Sequence, residues 1–312
     1  MINARRPLSS KRGNLFGLFR LARPLNLVIG AGTLLIMRHG WMGRWEPEGQ
    51  FTQLPEGDFL LGVAVVVLLM AGGNIINAYF DVAEDRINRP EIAIVDRSIK
   101  RRVLIIAHVL LHISGLSLAI LVSWRHGTWG PALVATLVSV ALWKYSARWK
   151  GIPVLGNVVV AGMLGLVPIW LALLEAPLHD ADLWRITWPL LGFAGMAFGV
   201  GLTREIVKDA RDEPGDRSAG KQSIPIRFGM RTAQWIVMVL LFGLTATYVF
   251  AAWSLDPSAN SMAWESWMLP LPFMLLAMTA VAGRSPRWKL ADRLLLLTLV
   301  SGFLQCLWLP GF

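Results

Sequence analysis

Nine apolar runs leave this chain few ways to fold. They lie at 16–37, 59–80, 103–123, 128–146, 153–174, 186–206, 232–254, 265–283 and 291–309. Each is close to the ~20 residues that carry a helix across the hydrocarbon core of a bilayer. With 55% hydrophobic and 16% charged residues over 312 positions, the chain is too apolar for an ordinary soluble protein. The pattern predicts an all-α membrane protein with nine transmembrane helices. It divides into a flexible basic tail at 1–14 and one membrane domain at 15–312.

The charges set the orientation. With the N-terminus inside, the inner segments are 1–23, 85–102, 144–150, 208–231 and 284–293, and they hold 25 of the 30 Lys and Arg. The outer loops keep Arg38, Arg44, Arg125 and Arg185, as the positive-inside rule expects. A net charge of +10 distributed in this way speaks for membrane topology and anionic ligands, not nucleic acid. Trp41, Trp45, Trp124, Trp129, Trp184 and Trp188 fall where an outer interfacial belt would lie. The single cysteine, Cys306, excludes an internal disulfide framework and reads as a packed thiol.

Two acidic sets stand out against this background. Asn77, Asp81 and Asp85 are spaced four apart at the end of the second run, which places them on one helical face. Glu205, Asp209, Asp212 and Asp216 follow the sixth run. The topology puts both sets at the same inner face, each mixed with Lys and Arg. Facing carboxylates need a cation, and hard oxygen ligands suit magnesium and, through it, a diphosphate. Asn77, Asp81 and Asp85 are candidates for one metal, Asp209, Asp212 and Asp216 for a second, with Asn74 and Glu205 in support. Lys144, Arg148 and Lys208 are candidates for phosphate oxygens. Tyr79 and Tyr145 are placed to offer an aromatic face to a carbocation. His108 and His112, four apart in the third run, lack a third ligand and read as a packed pair. Ser223 reads as a loop hydrogen-bonder.

The pattern NxxxDxxxD at Asn77–Asp85, the spaced aspartates at 209, 212 and 216 and the nine-run layout resemble the UbiA superfamily of intramembrane prenyltransferases. The stretches RPLN at Arg23–Asn26, INAYFDVAEDRINRP, SIKRR at Ser98–Arg102, KYSARWK at Lys144–Lys150, GN at Gly156–Asn157 and REIVKDARDEPGDRSAGKQSIPI at Arg204–Ile226 are similar to its geranylgeranylglycerol-phosphate geranylgeranyltransferases. The resemblance implies a UbiA-type bundle in a prokaryotic cell membrane with its active site facing the cytoplasm. It implies Mg2+-dependent transfer of a prenyl group, geranylgeranyl, from a prenyl diphosphate to the hydroxyl of geranylgeranylglyceryl phosphate. It also marks Arg23, Asn26, Arg204 and Lys221 as substrate-binding positions. Two departures bear on the acceptor: Ala78 follows Asn77 where the family has Asp, and Ile92–Val95 replace an Arg-Pro-Ile-like run. The alternatives are an aromatic quinone precursor as acceptor, or a transporter of a phosphorylated or cationic solute. Few ionisable groups fall mid-run, which counts against transport.

Overall fold

The computed structural model describes residues 11–44, 54–88, 90, 93–175, 183–254 and 269–307. Apart from connecting turns and one isolated β-bridge between Val95 and Ile99, these residues are helical: α1 (Lys11–Leu21), α2 (Pro24–Leu35), α3 (Glu56–Phe80), α4 (Val82–Asn88), α5 (Arg101–His126), α6 (Gly130–Ala147), α7 (Leu155–Glu175), α8 (Leu183–Ser218), α9 (Ile224–Phe228), α10 (Met230–Ser254), α11 (Leu271–Ala282) and α12 (Trp288–Leu304). A π-helix (Ile36–Trp41) extends α2, and short 3-10 turns sit at Met42–Arg44, Trp149–Gly151 and Gln305–Leu307. Each of the nine apolar runs overlaps one of these helices. Six helices among the described residues are long and apolar enough to cross a membrane, and α1 with α2 makes a seventh if the bent pair is one span. Helix α6 has 18 residues, and α11, at 12, is a shorter apolar helix.

The first run is not the straight span its length predicts. It bends by 57° between α1 and α2. Pro24 has no amide hydrogen and crowds the residue before it, and Arg23 takes a left-handed conformation with φ 57°. The bend leaves the Ala22 carbonyl to accept a hydrogen bond from Asn74 Nδ2 at 2.8 Å. The sixth run also departs from expectation, because α8 does not stop at 206. At 36 residues it is ~54 Å long, well beyond the hydrocarbon thickness, and it carries the second acidic set outward on its final turns.

Helix α3 packs along α5, and α7 along α8. Small residues allow the second approach: a Cβ at Gly165 would meet the Ala194 carbonyl oxygen at 2.9 Å. His108 and His112 are a buried packed pair, with ring centroids 4.1 Å apart. His108 Nδ1 bonds Gly72 O at 3.1 Å, and His112 Nδ1 bonds Ser139 Oγ at 2.5 Å. Cys306 is fully buried. Trp124 and Trp129 are exposed, but Trp41 is 2% exposed and packs edge-on to Phe193, so it belongs to the core and not to a belt. Trp45 and the side chains of Trp184 and Trp188 lie outside the described residues, as do residues 1–10 of the expected tail.

Candidate active site

The spacing of Asn77, Asp81 and Asp85 predicts one unbroken helical face. Instead α3 ends at Phe80, and Asp81 sits in the kink with φ −84° and ψ 14° before α4 begins. The hydrogen bonds Asp81 N to Asn77 O (3.0 Å) and Asp85 N to Asp81 O (2.9 Å) still tie the three together. The kink turns α4 onto α8. There Asn88 Nδ2 donates to Asp212 O at 2.9 Å, and its Oδ1 accepts Gly215 N at 3.0 Å. Gly215 is needed for this clamp, since a Cβ would stand 2.3 Å from Asn88 Nδ2.

The two acidic sets therefore meet, and lysine joins them. Lys221 Nζ lies 3.4 Å from Asp81 Oδ1, 2.6 Å from Glu84 Oε1 and 3.8 Å from Asp216 Oδ1. Lys150 Nζ pairs with Asp81 Oδ2, which also accepts Asn77 Nδ2 at 2.6 Å. Burial opposes ionisation of Asp81, but Lys150, Lys221 and Arg23 outweigh it and hold the carboxyl below its ordinary range. Burial likewise disfavours a charged Lys221, yet Asp81, Glu84 and Asp216 hold its ammonium above the ordinary lysine range. On α8, Asp209 Oδ2 accepts Asn157 Nδ2 from α7 at 2.8 Å. Tyr145, half-buried at the end of α6, lies within electrostatic reach of Glu205, Asp81, Asp209 and Arg23.

Other candidates are engaged elsewhere. Arg211 grips Asp212 with two bonds of 2.8 Å and also pairs with Asp292 of α12. Arg204 turns to the same Asp292 at 2.8 Å. Lys208 pairs with Glu205. Tyr79 packs edge-on against Phe80, ring centroids 5.0 Å apart, with the Arg101 guanidinium 5.8 Å over its ring. Lys144 and Arg148 are exposed, with Lys144 over the Trp149 ring at 5.8 Å. Asn26 is half-buried on α2, its backbone N–H donating to Arg23 O at 2.9 Å.

Among the described residues, no three His, Cys, Asp or Glu side chains form a group that could hold a metal as they stand, and the ammonium groups of Lys150 and Lys221 lie against Asp81 and Glu84. The donor chemistry nonetheless fits a hard divalent ion. Asn77 Oδ1 and Glu84 Oε2 are buried without a hydrogen-bond partner, and oxygens left unmatched in this way carry a desolvation cost that a cation relieves. Ser223 Oγ, expected to bond a loop, is also buried without a partner.

Lys150, Asn157, Glu84, Asn88 and Asp292 were not singled out from the sequence as site residues. Lys150 and Asn157 lie inside stretches that carry the family resemblance. Asp292 is a carboxylate within an apolar run, itself a signal.

Residues 45–280 match the model of the UbiA prenyltransferase family. The chain is 32% identical over 252 residues to a digeranylgeranylglyceryl phosphate synthase of Thermococcus gammatolerans, covering 80% of this chain and 84% of that one. It is 30% identical over 275 residues to the synthase of that name from Methanoregula boonei, covering 86% of each. The fold is shared with a solved digeranylgeranylglyceryl phosphate synthase (TM-score 0.63, 19% identity, 94% of this chain and 99% of that one). It is also shared with a UbiA homolog from Archaeoglobus fulgidus bound to DMAPP and Mg2+ (TM-score 0.61, 16% identity, 93% and 98%). Its long apolar helices and this kinship make the chain an integral membrane protein, and it belongs to the UbiA prenyltransferase family.

Proposed function

We propose that the protein transfers a geranylgeranyl group from its diphosphate to the hydroxyl of geranylgeranylglyceryl phosphate, forming an ether lipid. The observation that carries the reading is the Lys221 ammonium joining both acidic sets at one end of an apolar bundle. The names of the Thermococcus and Methanoregula relatives supply the acceptor. The domain is a single one over 15–312, with nine spans, the N-terminus in the cytoplasm of a prokaryotic cell and the site on the same side. The Lys and Arg distribution supports that orientation.

Asn77, Asp81 and Asp85 would hold one Mg2+, and Asp209, Asp212 and Asp216 another. Bound there, Mg2+ supplies charge neutralisation to the departing diphosphate. Lys150 and Lys221 exchange carboxylate partners for diphosphate oxygens, and with Arg23, Lys208, Lys144 and Arg148 they stabilise the charge that grows as the allylic carbon–oxygen bond breaks. Tyr145 stands beside the carboxylates, where its ring shields the allylic cation. The apolar helices keep water away from that cation, and the acceptor hydroxyl attacks it. The hydroxyl proton passes to the released diphosphate, so no strong base is required. Purified protein incubated with geranylgeranyl diphosphate, Mg2+ and a panel of acceptors, with products identified by mass, tests the reading. The expected product is the digeranylgeranyl ether. Diphosphate release without that ether, or transfer to an aromatic acceptor instead, overturns the acceptor assignment.

A further inference from the structure

Helix α8 has a second chemically distinct face. At 100° per residue, Asp209 and Asp216 lie about 20° apart, whereas Arg211 and Pro214 fall on the opposite side of the helix. Beyond that opposite side is a cavity of about 680 Å³, open between α8 and the first turns of α10 and α12. Arg211, Arg287, Lys289 and Arg293 line it together with Met230 and Trp288. Its one carboxylate, Glu213, is matched by Arg217 at 2.6 Å, and Arg211 is held by Asp212 and Asp292. Arg287, Lys289 and Arg293 are exposed and form no ion pair among the described residues. Three uncompensated cations therefore converge on one cavity.

Its level in the membrane narrows the ligand. Met230 and Trp288 open the segments Met230–Ala251 and Trp288–Leu307, both long and apolar enough to cross a bilayer. With both helices spanning as proposed above, the cavity falls where they leave the hydrocarbon, at headgroup depth, with an indole of the type that favours that zone. A soluble anion would use the cations and leave the Met230 and Trp288 surfaces in water. A lipid with an anionic headgroup uses both.

We propose that this cavity binds the phosphate headgroup of an anionic phospholipid of the surrounding bilayer, on the opposite side of α8 from Asp209 and Asp216. The lipid accepts hydrogen bonds from Arg287, Lys289 and Arg293 and lays its chains along the first turns of α10 and α12.

The test uses the full chain, extracted in mild detergent and mixed with equal amounts of phosphatidylglycerol and phosphatidylcholine, with bound lipid read by native mass spectrometry. Phosphatidylglycerol should be retained in preference. Each basic residue at an anionic headgroup is worth about fivefold in binding, so R287Q/R293Q should lower that preference on the order of twentyfold. Both positions are exposed, and an unchanged unfolding temperature confirms that the variant is intact. K100Q/R102Q, which removes two exposed charges at the start of α5, should keep the preference. Equal retention of the two lipids by the native chain overturns the proposal, as does an unaltered preference in R287Q/R293Q. So does an equal loss in K100Q/R102Q, which would mean diffuse attraction, or displacement of the lipid by millimolar inorganic phosphate, which would mean a bare anion site.

Discussion

Charged groups are buried at both ends of α3, and the two ends solve the problem differently. At the Glu56 end, Arg38 is 3% exposed and Glu175 fully buried. Arg38 Nε donates to Glu175 Oε1 at 2.6 Å, Nη1 to Glu56 Oε2 at 2.5 Å and Nη2 to the Leu54 carbonyl, and the guanidinium lies 4.4 Å over Phe59. Glu175 Oε2 takes the Leu54 amide at 3.0 Å. Each of the three guanidinium nitrogens has a partner, as the fixed geometry of Arg allows, and both Glu175 oxygens are taken. At the Asp81 end the paired cations are lysines, flexible point charges: Lys150 holds Asp81, and Lys221 is shared among Asp81, Glu84 and Asp216. Asn77 Oδ1 and Glu84 Oε2 remain unmatched. A closed network of this kind staples helices together, whereas an open one is arranged for something that is yet to bind.

The largest effects should fall at the open end. Asp81→Asn and Asp209→Asn should each abolish prenyl transfer while circular dichroism and membrane insertion stay as in the native chain. Wild-type turnover in either variant would make the Asp81 end a second staple. Next, Lys221→Met should lower kcat/KM for the diphosphate donor by roughly 10²–10³-fold, the usual cost of losing one preorganised donor to a developing anion. An unchanged kcat/KM would reduce Lys221 to a filler between carboxylates.

The closed end should respond in stability and not in chemistry. Glu175→Gln leaves the buried Arg38 with only the exposed Glu56 as counter-charge, and weakening a buried pair in this way costs up to about 3–5 kcal/mol. The paired replacement Arg38→Met with Glu175→Leu should recover only part of that loss, since it removes the stranded charge but leaves the buried Leu54 amide and carbonyl without their partners. Thermal unfolding in detergent reads both. Protein that remains folded should keep its kcat. A fall in kcat without a fall in stability would give the Arg38 network a part in the reaction.

The contrast between the two ends was only half legible in the sequence. The period of four in Asn77, Asp81 and Asp85 and the loop charges were enough to bring both acidic sets to one face. Hydropathy ended the sixth run at 206 and made 208–231 an inner connecting segment, whereas α8 in fact continues to Ser218. The override is tertiary: Asn88, 127 residues away in the chain, holds Gly215 through its amide. Lys150 escaped notice for a similar reason. It reaches Asp81 across 69 residues from a 3-10 turn, and no local period records such a contact. The Arg38–Glu175 pair spans 137 residues, and each partner alone looks like an ordinary charge at the end of a span.

The smallest of the expected effects separates holding a metal from holding its ligand. Asn157 is 6% exposed, and its Nδ2 donates one hydrogen to Asp209 Oδ2 at 2.8 Å. That bond fixes one oxygen of the carboxylate and leaves the other to turn toward a cation. Partners of this kind behind a metal-binding group typically cost about 10–100-fold in metal affinity when they are removed. Asn157→Ala should therefore raise the Mg2+ concentration needed for half-maximal activity by about that factor. At saturating Mg2+ most of the native kcat should return, because the reacting groups themselves are untouched. Direct titration with Mn2+, followed by its paramagnetic signal, should show the same loss without substrate present. A lowered kcat that no amount of Mg2+ restores would place Asn157 against the substrate instead, and Asp209 would then be oriented by α8 alone.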